Sequence, residues 1–245
     1  MKGEGEMEIG LLGMPIEDAA KEDWQDKASW YLRHIGVPRI FCNQQWEDFR
    51  KSKGKARALE AAQAWCRRRS SQRGGLIVHG PVGTGKSLLA ALCVRDVLIN
   101  GTLLDERRWR PRYWEILRDG YEETWDPGIL WTTMSDLLRR VRYQCFDTEE
   151  SSEDVEVERL RNIPLLVLDD IGVRALTEWG HDFLLSVVDA RWAAGRPILA
   201  TSNLDPAGLS SVLEERICSR LRGSCELVSV GGQDMRTVHG GRSDG

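Results

Sequence analysis

Two short stretches carry residue types and spacings able to handle a phosphorylated ligand. The first is Gly80-Pro81-Val82-Gly83-Thr84-Gly85-Lys86-Ser87-Leu88, which follows the apolar run Leu76-Ile77-Val78 and opens into Leu89-Ala90-Ala91. This is G-x-x-x-x-G-K-S between a strand pattern and a helix pattern, the context that a phosphate-binding loop requires. Glycines without a Cβ take positive φ, so successive backbone N–H groups can curl around phosphate oxygens. The helix that follows adds its free N-terminal amides and the positive end of its dipole. Lys86 is then placed to reach the β- and γ-phosphates, and the Ser87 hydroxyl to ligate Mg2+. A glycine-rich turn beside an ordinary lysine would explain the loop by itself, but not the strand before it and the helix after it.

The second stretch is Ile163-Pro164-Leu165-Leu166-Val167-Leu168-Asp169-Asp170-Ile171-Gly172. Four consecutive large apolar residues predict a strand buried on both faces, as in a parallel sheet. Two carboxylates at the end of such a strand are costly unless they meet water, a cation or a site. Downstream of a phosphate loop, that is where P-loop proteins hold Mg2+. Asp169 is the expected partner of Mg2+ or its water, and Asp170 the candidate base or water-positioner; a helix cap after a core strand is the other reading of the pair. A third strand pattern, Pro197-Ile198-Leu199-Ala200-Thr201-Ser202, ends at Asn203, whose amide could bond an attacking water or a γ-phosphate oxygen.

The elements that must position these groups read as alternating strands and helices, hence an α/β fold with a central parallel sheet. Helix patterns cover Lys21–Ile35, Ala56–Arg69, Lys86–Ile99, Met134–Tyr143, Thr177–Ala193 (with Trp179, Phe183, Val187 and Trp192 inward) and Leu209–Leu221. Ile129–Thr133 and Cys225–Val230 complete the strands. Residues 1–20 read as weakly ordered, 39–55 as a loop and 146–158 as an acidic linker or helix start. Arg67-Arg68-Arg69 suits a helix C-terminus, with a DNA contact as the alternative. Between residues 102 and 128 arginines interleave with Trp109, Tyr113, Trp114, Tyr121 and Trp125, the composition of a single-strand stacking platform. More carboxylates than arginines share that segment, and a surface insertion with its own aromatic core fits equally well.

At 245 residues with a formal net charge of −4, the chain has room for one α/β domain and is no bulk-electrostatic nucleic-acid binder. No apolar run approaches a bilayer span, and the acidic N-terminus lacks a signal-peptide layout. The six cysteines show no metal-ligand spacing, which suits reduced thiols in a cytoplasmic protein.

In their order, GPVGTGKS, LLVLDDIG, ILATSNL and LEERICSRLRG resemble the AAA+ ATPases of the DnaC/IstB type, the helicase loaders and transposition helpers, over about residues 34–236. The resemblance implies a P-loop three-layer sandwich without a full C-terminal lid, since only fifteen residues follow Val230. It implies ATP and Mg2+ as ligands, residues 80–88 as Walker A, Asp169 and Asp170 as Walker B, and Asn203 as sensor 1. Arg220 becomes the arginine finger offered to a neighbouring subunit, with Arg216 the second choice; a solvated helix face pairing both with Glu214 and Glu215 is the alternative. Arg236 is a weak match to sensor 2. The expected organisation is an N-terminal docking extension (1–50), an ATPase domain (51–236, with 102–128 inserted) and a disordered tail (237–245). The implied function is ATP-dependent loading of a replicative helicase onto single-stranded DNA by a ring or spiral oligomer. An IstB-like helper of transposition and a non-hydrolysing adaptor are its rivals.

Overall fold

The computed structural model describes residues 21–50, 54–68, 74–99, 128–147, 152–172, 175–232 and 234–235. Residues 1–20, the Arg/Trp segment at 102–127, Arg69 and Arg236 lie outside the described residues.

Five parallel strands form the central sheet: β1 (Gly75–His79), β2 (Ile129–Thr133), β3 (Leu165–Asp169), β4 (Ile198–Ser202) and β5 (Cys225–Ser229), in the spatial order β2-β3-β4-β1-β5. Side chains alternate across the sheet, so each strand feeds two cores. Leu76, Val78, Leu165, Val167, Leu199 and Val228 enter one; Ile77, Leu166, Leu168, Ile198 and Ala200 enter the other. The first core is covered by α1 (Lys21–His34), α2 (Trp46–Arg50), α3 (Ala56–Cys66) and α4 (Lys86–Ile99). The second is covered by α5 (Met134–Asp147), α6 (Ser152–Asn162), α7 (Glu178–Ala193), α8 (Pro206–Val212) and α9 (Glu215–Ser224). The result is the helix–sheet–helix sandwich expected from the strand patterns. Strand β3 is buried at every position, which explains its unbroken apolar run. Truncating a leucine there to alanine would cost about 2–5 kcal/mol.

Several expectations need correction. Residues before position 50 share a core with those after it: Leu32, Ile35, Val37, Cys42 and Phe49 pack with α3 and α4. Arg95 of α4 reaches into that segment, donating to the Cys42 carbonyl at 2.7 Å and to Ser29 Oγ at 3.3 Å. The stretch read as a loop contains a 3-10 turn (Arg39–Phe41) and the short helix α2. Asp48 reaches back to the Gln45 amide at 2.9 Å, and Trp46 Nε1 donates to Asp96 on α4. The acidic linker is mostly helix: α5 runs on to Asp147 and α6 follows. Carboxylates in the first turn of α6 and arginines in its last complement the helix dipole, and buried Glu156 bridges Arg140 and Arg159.

On α7, Phe183, Leu184, Val187 and Val188 are buried as expected, and only the last residue of the predicted inward face departs. Trp192 is half exposed, and its neighbour Arg191 is fully buried. The Arg191 guanidinium donates to the carbonyls of Leu160, Ile163 and Pro197, tying the end of α6 and the turn before β4 to the last turn of α7. Burial pushes its pKa down to about 9, still above neutrality, so the group is charged at pH 7. The helix expected over 209–221 is two: α8 starts at Asp205, whose carboxylate accepts from the Gly208 amide at 2.7 Å, and extended Leu213 separates it from α9. Asp205-Pro206 is a readable cap-and-N1 signal for that earlier start. After α3, Arg68 is ion-paired to Glu226 of β5 at 2.7 Å, consistent with a structural reading of the arginine run.

Candidate functional site

The phosphate loop is shaped by close backbone contacts at the end of β1. Gly80 has φ 148°, and a Cβ there would lie 2.1 Å from the Val230 carbonyl oxygen, so no other residue fits. Gly83 and Gly85 take φ 79° and 92°, the left-handed values that curl a loop into a nest. Thr84 Oγ1 ties the turn to the Pro81 carbonyl at 2.9 Å. Buried Lys86 donates Nζ to that same carbonyl at 2.8 Å and lies along the loop.

Beside the loop, the tips of β3 and β4 meet it. Ser87 Oγ donates to Asp169 Oδ1 at 2.9 Å, and Thr201 Oγ1 donates to the same oxygen at 2.5 Å. Burial raises the Asp169 pKa from the ordinary carboxylate value, while the bonds from Thr201 and Ser87 pull it back down. The next residue turns the other way: Asp170 has φ 63°, which for a non-glycine residue stores on the order of 1–3 kcal/mol of strain. The turn is held by Asp170 N donating to Thr201 Oγ1 at 2.9 Å and Ile171 N to the Thr201 carbonyl at 2.8 Å. Its effect is to face the Asp170 carboxylate into the cleft, where Asn203 Nδ2 donates to it at 3.1 Å.

The cleft has a volume of about 460 Å3, within the usual range for small-molecule sites. Val82, Gly83, Gly85, Lys86, Ser87 and Leu88 line it from the loop, and Asp170 and Asn203 from the strand tips. Gly80, Pro81 and Thr84 shape the loop without lining it. The rest of the lining is Ile40, Phe41, Gln44 and Asp48, with Met235 resting on the loop. Ile40 and Val82 leave apolar side chains largely exposed at its mouth. The sequence reading missed that part of the lining, although the apolar pair Ile40-Phe41 in Pro38-Arg39-Ile40-Phe41 was its visible trace.

The groups present fit a magnesium-bound polyphosphate. Ser87 and Asp169 offer a hydroxyl and a carboxylate oxygen in mutual contact, and Mg2+ takes one or two protein oxygens when phosphates and waters supply the rest. No larger cluster of His, Cys, Asp and Glu suited to a metal occurs among the described residues. Arg216 and Arg220 are elsewhere. Neither lines the cleft, and the alternative pairing with Glu214 and Glu215 gives way to another carboxylate. Both instead bind Asp189 on α7, at 2.7 and 3.0 Å, and the Arg220 guanidinium lies 3.9 Å from the centre of the Trp192 ring.

No family model matches the chain. Among curated proteins, the replicative helicase loader DnaC of Buchnera aphidicola (subsp. Schizaphis graminum) is 23% identical over 207 residues, 84% of this chain and 74% of its own length. DnaC of Escherichia coli K12 is 24% identical over 188 residues, 76% of this chain and 66% of its own. The crystal structure of the DnaC helicase loader superposes with a TM-score of 0.53 at 21% identity, covering 71% of this chain and 89% of that one. The chain is similar in sequence to the replicative helicase loaders named DnaC and shares the fold of the solved DnaC structure. The replication initiator DnaA, solved with AMPPCP and single-stranded DNA, shares the fold at a TM-score of 0.57 and 16% identity over 81% of this chain and 52% of its own. The β2-β3-β4-β1-β5 order puts the loop after β1 beside the tips of β3 and β4, which is why one cleft gathers all three motifs. No helix among the described residues is long and apolar enough to cross a membrane.

Proposed function

We propose that the chain is a cytoplasmic ATPase that loads a replicative DNA helicase onto single-stranded DNA, with ATP binding and hydrolysis switching its assembly. The observation that carries the reading is the convergence of Lys86, Ser87, Asp169, Asp170 and Asn203 on one cleft of nucleotide size, in a chain similar to DnaC along most of its length.

In this reading the loop amides and Lys86 hold the phosphates, with Lys86 exchanging the Pro81 carbonyl for a phosphate oxygen. Ile40, Phe41 and Met235 give the base an apolar wall. Ser87 and Asp169 hold Mg2+, which when bound neutralises charge on the β- and γ-phosphates. Asp170 and Asn203 orient the attacking water, each fixing the other through their 3.1 Å bond. Arg220, outside its own cleft, stabilises charge in the site of the next protomer, with Arg216 as the second choice. Subunits contacting through a bound triphosphate form a ring or spiral, and loss of the γ-phosphate releases them, as nucleotide switches do. Among the relatives that support this reading the named activity is helicase loading, so a transposition-helper role is the weaker alternative.

The test is a loading assay with the purified chain, a replicative helicase from the same source and a single-stranded circle. ATP-dependent transfer of helicase to the circle is expected. Stable ATP-dependent filaments on duplex DNA, with no helicase captured, would reject loading in favour of the transposition-helper reading.

A further inference from the structure

Against the phosphate loop a second lysine is buried. Lys55 stands at the N-terminus of α3 and is only 1% exposed. Its Nζ has no hydrogen-bond partner among the described residues. The ammonium lies 5.2 Å from the centre of the Phe49 ring and would be 3.6 Å from a Cβ at Gly85, so it sits directly beneath the loop. An interior cation is costly without a compensating anion, and charges this close to a low-dielectric site act strongly on whatever binds there.

An anion lies against the other end of the same loop. The chain leaving β5 returns to it, and Met235 N donates to the Gly83 carbonyl at 2.8 Å. This return presses Asp234 onto Gly83: its carboxylate atoms occupy the space that a Gly83 Cβ would take, at 2.1–2.2 Å from that position. Burial lowers the Lys55 pKa, and the Asp234 charge partly offsets the effect, so the two groups sense each other.

We infer that Lys55 and Asp234 form an opposed charge pair that sets the affinity of the loop for polyphosphate, Lys55 strengthening it from beneath Gly85 and Asp234 weakening it from beside Gly83. Neither group makes the phosphate contacts themselves. They are positioning residues acting through the potential at the loop amides and through the hold of the β5 return on the loop. The Asp234 carboxylate offsets the pull of Lys55 and Lys86 on a polyphosphate.

This rests on the nucleotide reading of the cleft, and titration with a fluorescent ATP analogue separates the two. Lys55→Met is expected to weaken binding about tenfold and Asp234→Asn, which keeps the shape and removes the charge, to tighten it several-fold. The double variant returns near the wild-type affinity. A purely structural role cannot produce that sign split, because loosening the loop weakens binding whichever residue is changed. If Lys55→Met does not fold, Asp234→Asn decides alone: tighter binding supports the pair, and unchanged or weaker binding overturns it. Should Lys86→Ala bind as well as wild type, the nucleotide reading falls and takes this pair with it. Should Lys86→Ala lose binding while Lys55→Met and Asp234→Asn both match wild type, only the pair falls.

Discussion

At the tips of β1, β3 and β4 the polar side chains converge on one another around a cleft, whereas at the α7–α9 corner two arginines converge on a carboxylate outside it. In the first region each group has a partner within the protomer: Ser87 with Asp169, Thr201 with both aspartates, Asn203 with Asp170. Preorganisation of this kind spares the cost of assembling the site when a ligand arrives. In the second, Arg216 and Arg220 are held by Asp189, and Trp192 supports the face of Arg220. Two cations on one carboxylate leave an excess of positive charge at a partly exposed corner. One region gathers its polar groups around a cleft; the other gathers two arginines on a single carboxylate away from it.

The largest expected effects would break that division outright. Lys86→Ala should remove nucleotide binding to the limit of a fluorescence titration, while Arg220→Ala should bind as the wild type does and lose turnover on the order of 10^3-fold, the lower part of the range for arginine fingers. Mixing the two inactive variants is the sharper measurement. A Lys86→Ala protomer still carries Arg220 and can complete the cleft of an Arg220→Ala neighbour, so phosphate release should reappear in the mixture. No recovery at any ratio would mean that the α9 arginines serve their own protomer or none.

A smaller effect is expected inside the convergent region. Thr201→Val keeps the shape but removes one bond to Asp169 and strands the Asp170 amide, a loss of about 1–3 kcal/mol for a buried unsatisfied donor. The bond from Thr201 lowers the Asp169 pKa, so its removal raises that pKa further. Since Mg2+ requires the ionised carboxylate, the acid limb of the pH–turnover profile should move to higher pH while the alkaline limb stays in place. An unmoved acid limb would assign that limb to another group.

How far the sequence was readable follows the same division. The loop, the β3 aspartates and Asn203 could be found because each sits at the end of an apolar run whose length and position the core dictates. Such signals are local, and the parallel topology then brings three of them together. The cleft wall at Ile40 and Phe41 was not legible: its residues lie in a stretch without period, held by contacts with α4 such as Trp46 to Asp96, fifty residues away. The end of the α7 inward face, at Trp192, misled for a related reason. Tryptophan next to arginine favours Trp192 as the core residue, yet the carbonyl ends of α6 and the turns before β3 and β4 form a polar socket that only a guanidinium satisfies. Once Arg191 fills it, the hundred-degree step along the helix carries Trp192 to the surface.

The smallest effect concerns that displaced tryptophan. A cation–π contact at a half-exposed site is worth about 0.5–1 kcal/mol, so Trp192→Ala should lower turnover of the assembled protein by about two- to fivefold without altering nucleotide affinity. Asp189 still restrains Arg220 in this variant, which is why the loss falls far short of that for Arg220→Ala. Trp192→Tyr keeps a π face under the guanidinium and should recover most of the activity; Trp192→Leu keeps apolar bulk without the quadrupole and should not. If leucine restores turnover as well as tyrosine, the ring acts only as a wedge between α7 and α9, and the orientation of Arg220 rests on Asp189 alone.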